Sequence, residues 1–285
     1  MSCWLYTLSA LCILANLLAP SVAWNYCSEH WCKEARSHIA CNNNGSYGRS
    51  CSKEAELRPL NVQLRNFILH KINFYRNKVA SGNFSGFAAA HRMASVQWDP
   101  ELATLAELAV KQCPRQPDEC RNTRRFKHVG QILGHVIFST KRYSDIQLLE
   151  HKLGNWFRQY KRANSQLNAV EGGPDITSFR QLMQERATHI GCGILRHVHR
   201  HRWHKQFIVC NFARENIGRE PVYGVATKPA SGCKMGVNPK FPNLCALHEA
   251  YDVNVVDHLA IPRLRIKLKY NEEGMHSKAA ANRTL

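Results

Sequence analysis

The sequence predicts a mixed α+β fold cross-linked by disulfides, and three observations predict it. Apolar residues recur at helical spacing in four stretches, three short runs between them are rich in branched and aromatic residues, and twelve Cys accompany an apolar N-terminus. At 285 residues the chain is long enough for one large domain or two small ones, with a full core. Its 21% charged and 44% hydrophobic residues exclude disordered, collagen-like and coiled-coil classes. Lys and Arg number 39 against 21 Asp and Glu, a formal charge of +18 at pH 7. That balance predicts attraction to anionic partners and says nothing about fold.

Residues 1–23 read as a secretory signal peptide. They carry no charged side chain, Trp4 to Leu18 is nearly all apolar, and Ser21 and Ala23 suit cleavage before Trp24. The run is shorter than the ~20 residues a spanning helix needs, so a membrane anchor is the weaker reading, and no later segment is long enough. Export takes Cys3 and Cys12 with it. The ten that remain are an even number in an oxidising compartment, which predicts a disulfide framework. No C-x-x-C pair occurs, so the usual spacing of zinc ligands is lacking. Asn44-Gly-Ser46, Asn83-Phe-Ser85 and Asn282-Arg-Thr284 are acceptor motifs for N-glycans.

Residues 25–51 hold four Cys in a polar, Asn- and Gly-rich stretch that reads as a stapled coil. A first helix follows from Asn61, with Leu64, Ile68, Ile72, Tyr75 and Val79 on one buried face and Gly82 as its stop. A second opens with Asp99 as N-cap and Pro100 at the first helical position, and buries Leu102, Leu105, Ala106 and Ala109. The third starts near Ser144-Asp145 and runs through Ile146, Leu149, Leu153, Trp156 and Tyr160, with Lys161 and Arg162 suited to its negative end. A shorter fourth covers about Thr177 to Arg186. Strands are expected at Val129 to Phe138, His189 to Leu195 and Gln206 to Phe212. The last two flank a polar turn and make an antiparallel pair with Cys192 and Cys210 on neighbouring strands. After Tyr223 the chain turns loop-like, with Cys233 and Cys245 close enough for a local bridge. Beyond Pro262 a basic alternation, Arg263 to Tyr270, reads as a mobile tail.

Asn25-Tyr26-Cys27 after a signal, Asn73-x-x-Arg76, Val129-Gly-Gln131, Asn155-Trp156-Phe157, Gly191-Cys-Gly193 and Val209-Cys-Asn-Phe212 together resemble the CAP superfamily, and within it the insect venom-allergen (antigen-5-like) proteins. The resemblance covers nearly all of residues 25 to 245. It implies a three-layer α-β-α sandwich with a central antiparallel sheet and disulfide-rich N-terminal and C-terminal extensions. It also implies the pairs Cys27 with Cys41, Cys32 with Cys120, Cys51 with Cys113, Cys192 with Cys210 and Cys233 with Cys245, which spacing alone does not choose. The expected organisation is a signal peptide at 1–23, a Cys-rich extension at 24–56, the CAP domain at 57–226, a disulfide loop at 227–250 and a basic tail at 251–285.

Many members of that superfamily gather two His and two Glu in a central cleft, where the imidazoles hold a divalent metal and the carboxylates orient or deprotonate water. At the matching positions this chain has Ile72, Gln131, Gln159 and Ser178. An amide keeps the size of a carboxylate without its titrating proton, and Ile and Ser offer no imidazole, so the resemblance implies a cleft that has lost its chemistry. His70 lies two positions before Ile72, roughly 200° around the helix, and should point elsewhere. The bland reading is that Ile72 packs while Gln131 and Gln159 hydrogen-bond to each other or to backbone.

Two further constellations compete with bland readings. His197, His199 and His201 alternate, with His204 after them, and on a strand the first three would share a face able to catch a metal. The adjacent Arg charges oppose a cation, which favours an exposed basic hairpin. Arg121, Arg124, Arg125, Arg196, Arg200, Arg202 and Lys205 are candidates for binding heparin-like glycans, anionic lipid or acidic proteins. Such runs are more often solvated faces. No nucleophile elbow, His-Glu-x-x-His helix, Walker loop or dinucleotide fingerprint is present, and His248-Glu249 lacks a second His. The expectation is a secreted monomer with no cofactor, no transmembrane segment and no nucleic acid. It recognises an extracellular partner without catalysis; a hydrolase built on other residues and a sterol or fatty-acid carrier are the alternatives.

Overall fold

A computed structural model of the chain describes residues 25–33, 36–139, 143–163, 167, 175–200, 203–218 and 220–256, with backbone only for Glu29 and Arg200. The expected signal peptide, the Asn282 acceptor, Arg202 and the chain beyond 256 lie outside these residues. In order, the elements are β1 (Glu56–Arg58), α1 (Val62–Ala80), β2 (Ala89–Ala90), β3 (Gln97–Trp98), α2 (Pro100–Val110), β4 (Gly130–Ser139), α3 (Asp145–Arg158), α4 (Tyr160–Ala163), α5 (Thr177–Met183), β5 (His189–Arg200), β6 (Trp203–Phe212), β7 (Val225–Ala226), β8 (Val237–Asn238) and β9 (Phe241–Cys245).

The central sheet has the order β1-β5-β6-β4 and is antiparallel throughout, except that β3 joins the free edge of β5 as a short parallel pair. Because side chains alternate across a strand, β4, β5 and β6 offer two different faces. Ile132, Ile194, Ile208 and Phe212 pack under α1, α3 and α5 with Ile68, Ile72, Leu149, Leu153 and Phe179. Leu195, Phe207 and Val209 pack against Ala106, Ala109 and Val110 of α2 on the other face. That is the three-layer α-β-α sandwich. The Gly191-Cys-Gly193 signature has a steric cause: a Cβ at Gly191 would run into the Ala103 backbone, and one at Gly193 would lie 2.9 Å from the Ala106 carbonyl. Only glycine lets α2 sit this close to the sheet.

Local chemistry fixes the helix starts. Asn61 and Asp99 accept the N–H groups of Leu64 and Leu102, and Ser144 with Gln147 makes a reciprocal capping box on α3. The ends differ from the sequence expectation. The third helix does not run through Tyr160, because the chain turns at Gln159 and α4 begins afresh. α5 stops at Met183 rather than near Arg186, since the carbonyls of Leu182, Gln184 and Glu185 are taken by Arg76. The β5–β6 hairpin continues past Leu195 to Arg200 and resumes at Trp203.

Five disulfides form: Cys32–Cys120 and Cys51–Cys113 tie the N-terminal extension to this frame, Cys192–Cys210 links β5 to β6, and Cys27–Cys41 and Cys233–Cys245 close local loops. The C-terminal segments are less separate than the sequence suggests. Phe241 and Leu244 belong to the main core, and Arg92 pairs with the buried Glu249. Residues 251–256 are not loose either: the carbonyls of Val253 and Val255 accept hydrogen bonds from Arg214 and Arg186, so a free tail cannot begin at 251. β1 likewise carries the end of the N-terminal extension into the central sheet.

Candidate functional site

A cleft of about 770 Å3 opens at the end of the sheet where β4 begins. Its walls come from Gly130 and Gln131 on β4, Thr177, Arg180 and Gln181 on α5, the 117–121 loop, and Glu215 and Asn216 after β6. Gly130 is there for space, since a Cβ would collide with the side chain of Gln181. Gln181 is anchored by donating to the Arg214 carbonyl at 2.7 Å.

Of the four positions read as a degenerate cleft, only Gln131 lines this opening. Its amide donates to Asp118 Oδ2 at 2.6 Å and Asn211 Oδ1 at 2.9 Å, and its oxygen accepts from the Asp118 N–H at 3.1 Å. Ile72 is fully buried in the main core, on the apolar face of α1. Gln159 accepts the Phe179 N–H at 2.9 Å and so bridges the end of α3 to α5 rather than reaching Gln131. Ser178 is half-buried on α5, whose cleft-facing residues are Thr177, Arg180 and Gln181. Shared ancestry of position therefore does not make a shared wall here. His70 is exposed against Phe241, with ring centroids 5.6 Å apart.

The Asn73-x-x-Arg76 pair is architectural. Asn73 exchanges two hydrogen bonds with Val96, at 3.0 and 2.8 Å. Arg76 is fully buried and donates five hydrogen bonds to the carbonyls of Ala94, Leu182, Gln184 and Glu185. Burial pushes its pKa down to about 10, which leaves it charged at neutral pH.

The cationic candidates separate on inspection of their partners. Arg121 is buried, paired with Asp118 at 2.6 Å through Nε, bonded again to the Asp118 carbonyl, and donates to Val129 O at 2.9 Å. It is a loop fastener and drops out of any exposed basic strip. Arg196 is also engaged, with Asp145 at 2.7 Å and Gln206 at 2.7 Å. Arg125 is 58% exposed but pairs with Asp99 at 3.0 Å. Lys205 lies 4.9 Å from the Phe207 ring, with its pKa lowered by burial and by Arg115. Arg124 has partners of its own, and the side chains of Arg200 and Arg202 are outside the described residues.

His201 lies outside the described residues, and the described members of the histidine alternation do not gather into a ligand set. His197 is buried and accepts the Ser52 N–H at 3.1 Å through Nδ1, and its pKa is lowered, chiefly by burial. Its ring is 6.5 Å from His199, while His204 lies on the opposite sheet face against Phe138. Among the described residues no three His, Cys, Asp or Glu are placed to hold a metal.

Sequence reasoning missed Asp118, Arg180, Glu215 and Asn216. All but Arg180 lie outside regular elements, where no periodicity marks them. Arg180 sits between Ser178 and Gln181, and its charge on a short buried helix was the one available signal.

A model of the CAP family, described as the cysteine-rich secretory protein family, matches residues 69–212. Venom allergen-1 of Aedes aegypti is 32% identical over 243 residues, covering 83% of this chain and 93% of its own. Antigen 5 like allergen Cul n 1 of Culicoides nubeculosus is 32% identical over 200 residues, 66% of this chain and 90% of its own. Among solved structures, NaASP2 with Zn2+ superposes with a TM-score of 0.50 at 18% identity, covering 70% of this chain and 100% of its own. Na-ASP-1 gives 0.53 at 17% identity, covering 70% and 50%. These two share the fold.

Proposed function

Because the chain belongs to the cysteine-rich secretory protein family, we propose that it is a secreted, antigen-5-like protein that recognises an extracellular partner and catalyses no reaction. One observation carries the reading: the amide of Gln131, where the superfamily's first cleft carboxylate would stand, is held on all sides by Asp118 and Asn211. A carboxamide so engaged has no titrating proton to exchange, carries no charge to attract a cation, and turns its N–H groups to its two acceptor neighbours. Ile72 and Ser178 supply no imidazole, so this donor set does not fit the divalent metal that the superfamily's cleft implies. Five disulfides support an extracellular setting, and no helix among the described residues is long and apolar enough to cross a membrane. What survives is a shaped, polar opening on a cross-linked frame, suited to binding.

Calorimetric titration with zinc tests the proposal. The expected result is no sub-micromolar site, together with hydrolysis of ester and peptide substrates at the rate of buffer alone. A tight zinc site lost in Gln131→Ala, or metal-dependent turnover lost in the same variant, overturns it.

A further inference from the structure

The cleft contains a cation that the described residues leave unanswered. Arg180 lines the opening, and its Nε–H is buried without a hydrogen-bond partner. The other charges of the cleft are engaged elsewhere. Arg121 is closed on Asp118, Glu119 accepts the Ser37 N–H at 3.0 Å, and the cations that act on Glu215 are Arg121, Arg214, Arg36 and Lys33. Burial alone acts on Arg180, lowering its pKa with no carboxylate to oppose it. A guanidinium offers a planar fork of donors matched to an oxyanion, and a desolvated donor left unpaired is destabilising until a partner arrives. On the same cleft Asn216 Oδ1, an acceptor, is also buried without a partner. Two residues of the pocket wall thus carry an unfilled donor and an unfilled acceptor just beneath its surface, within reach of a side-chain rotation, around a volume of the size that takes small organic ligands.

We propose that this cleft binds a small polar ligand bearing an oxyanion and a hydroxyl, with Arg180 as the oxyanion anchor and Asn216 as acceptor for the hydroxyl. The proposal rests on the non-catalytic reading of the cleft. A hydroxy acid or uronic acid has the required pair of groups.

The probes are glucuronate, which has both groups, glucose, which lacks the oxyanion, and inorganic sulfate, which lacks the hydroxyl. Titrations by calorimetry and ligand-observed NMR are run on the full disulfide-bonded protein with a chelator present, so that a metal plays no part. Glucuronate should saturate one site, with glucose at least about tenfold weaker. Arg180→Gln should lose at least about tenfold for glucuronate and sulfate alike, and Arg180→Lys should fall between, since an ammonium keeps the charge without the fork. Asn216→Ala should weaken glucuronate and leave sulfate unchanged.

Should the variants fold poorly, phenylglyoxal labelling of the wild type followed by mass spectrometry keeps the question answerable, because Arg180 should be modified in free protein and protected by glucuronate. Equal binding of glucuronate and glucose, no saturation by glucuronate, undiminished binding in Arg180→Gln, or labelling that glucuronate does not slow would each overturn the proposal. A tight zinc site measured without chelator and lost in Gln131→Ala would instead overturn the non-catalytic reading, so the two failures are separable.

Discussion

Arg76 and Arg180 both bring a guanidinium to α5, the first fully buried and the second half-buried with its Nε enclosed, and the fold treats them in opposite ways. Arg76 reaches in from α1 and spends its whole fork on carbonyls from the 94 turn and the end of α5. Arg180 starts on α5 itself and leaves its buried Nε–H without an acceptor. Burial lowers the pKa of each. A buried charge is tolerable when fixed dipoles replace its hydration, and costly when they do not. The first arginine therefore belongs to the architecture, while the second is a standing cost that a bound anion would relieve.

The sharpest way to break this contrast is to remove each group. Arg76→Ala orphans carbonyls in two loops and at the C-terminus of α5, and should destabilise the protein by on the order of 4 kcal/mol. Arg180→Ala removes no observed hydrogen bond and frees the fold of an unpaired buried donor while losing the side chain's packing, so stability should fall by no more than about 0.5 kcal/mol. Urea denaturation with disulfides intact measures both. Comparable losses in the two variants would mean that Arg180 is held by the fold after all.

A smaller effect sharpens the comparison from the cleft's other wall. Gln131→Glu restores a carboxylate where the superfamily has one, but it replaces an N–H donor by an acceptor facing Asp118 Oδ2 and Asn211 Oδ1. The expected cost is about 1–3 kcal/mol at pH 7. The sign with pH follows from like-charge repulsion. The introduced carboxyl would have a folded pKa raised above the ~4.3 of an unfolded Glu, so the penalty is full above the raised value and is relieved as the pH falls through it. Denaturation midpoints between pH 4 and pH 8 read this directly, and a penalty independent of pH would place its origin in packing rather than charge.

How much of this was legible in the sequence depends on how local the cause is. The α1 stripe, the Asp99-Pro100 start and the Cys192 and Cys210 strand pair are set by neighbours three or four residues away, or by a direct cross-strand partner, and periodicity exposes them. The basic run at 121–127 misled because its partners do not alternate with it. Asp118 closes on Arg121 inside a loop and Asp99 reaches Arg125 from a helix cap, and a charge count cannot see either. The cleft walls were least legible. Asp118, Glu215 and Asn216 meet α5 only after the sheet has brought distant loops together, and the four matched positions turned out to face three different surroundings. Position in a family motif fixes where a Cα lies; the contacts of the replacing side chain decide where its chemistry points.

His38 offers a third treatment, of a buried base kept neutral, and the smallest test. Its Nε2 meets the Asn122 carbonyl at 2.8 Å and its Nδ1 meets the Ala40 N–H at 3.1 Å. A carbonyl only accepts and an amide only donates, so the neutral Nε2–H tautomer is the one that satisfies both. Burial, the largest influence, pulls the folded pKa below the ordinary 6.5. Protonation would set one N–H against another, so stability is full above the unfolded value of ~6.5 and is lost as the pH falls from there through the folded pKa. His38→Phe keeps the stack on Tyr26, now 4.5 Å between centroids, and removes the titrating group. It should start from a lower urea midpoint at pH 7.5 yet lose less than wild type on going to pH 5.5. The slope should shrink without vanishing, because His128, His189 and His197 are also lowered by burial and remain. Parallel losses in the two proteins would show that the ring titrates alike in the folded and unfolded chains, and a larger loss in His38→Phe than in wild type would show that the fold holds the ring protonated. His38 would then belong with Arg76, as a charge held by acceptors.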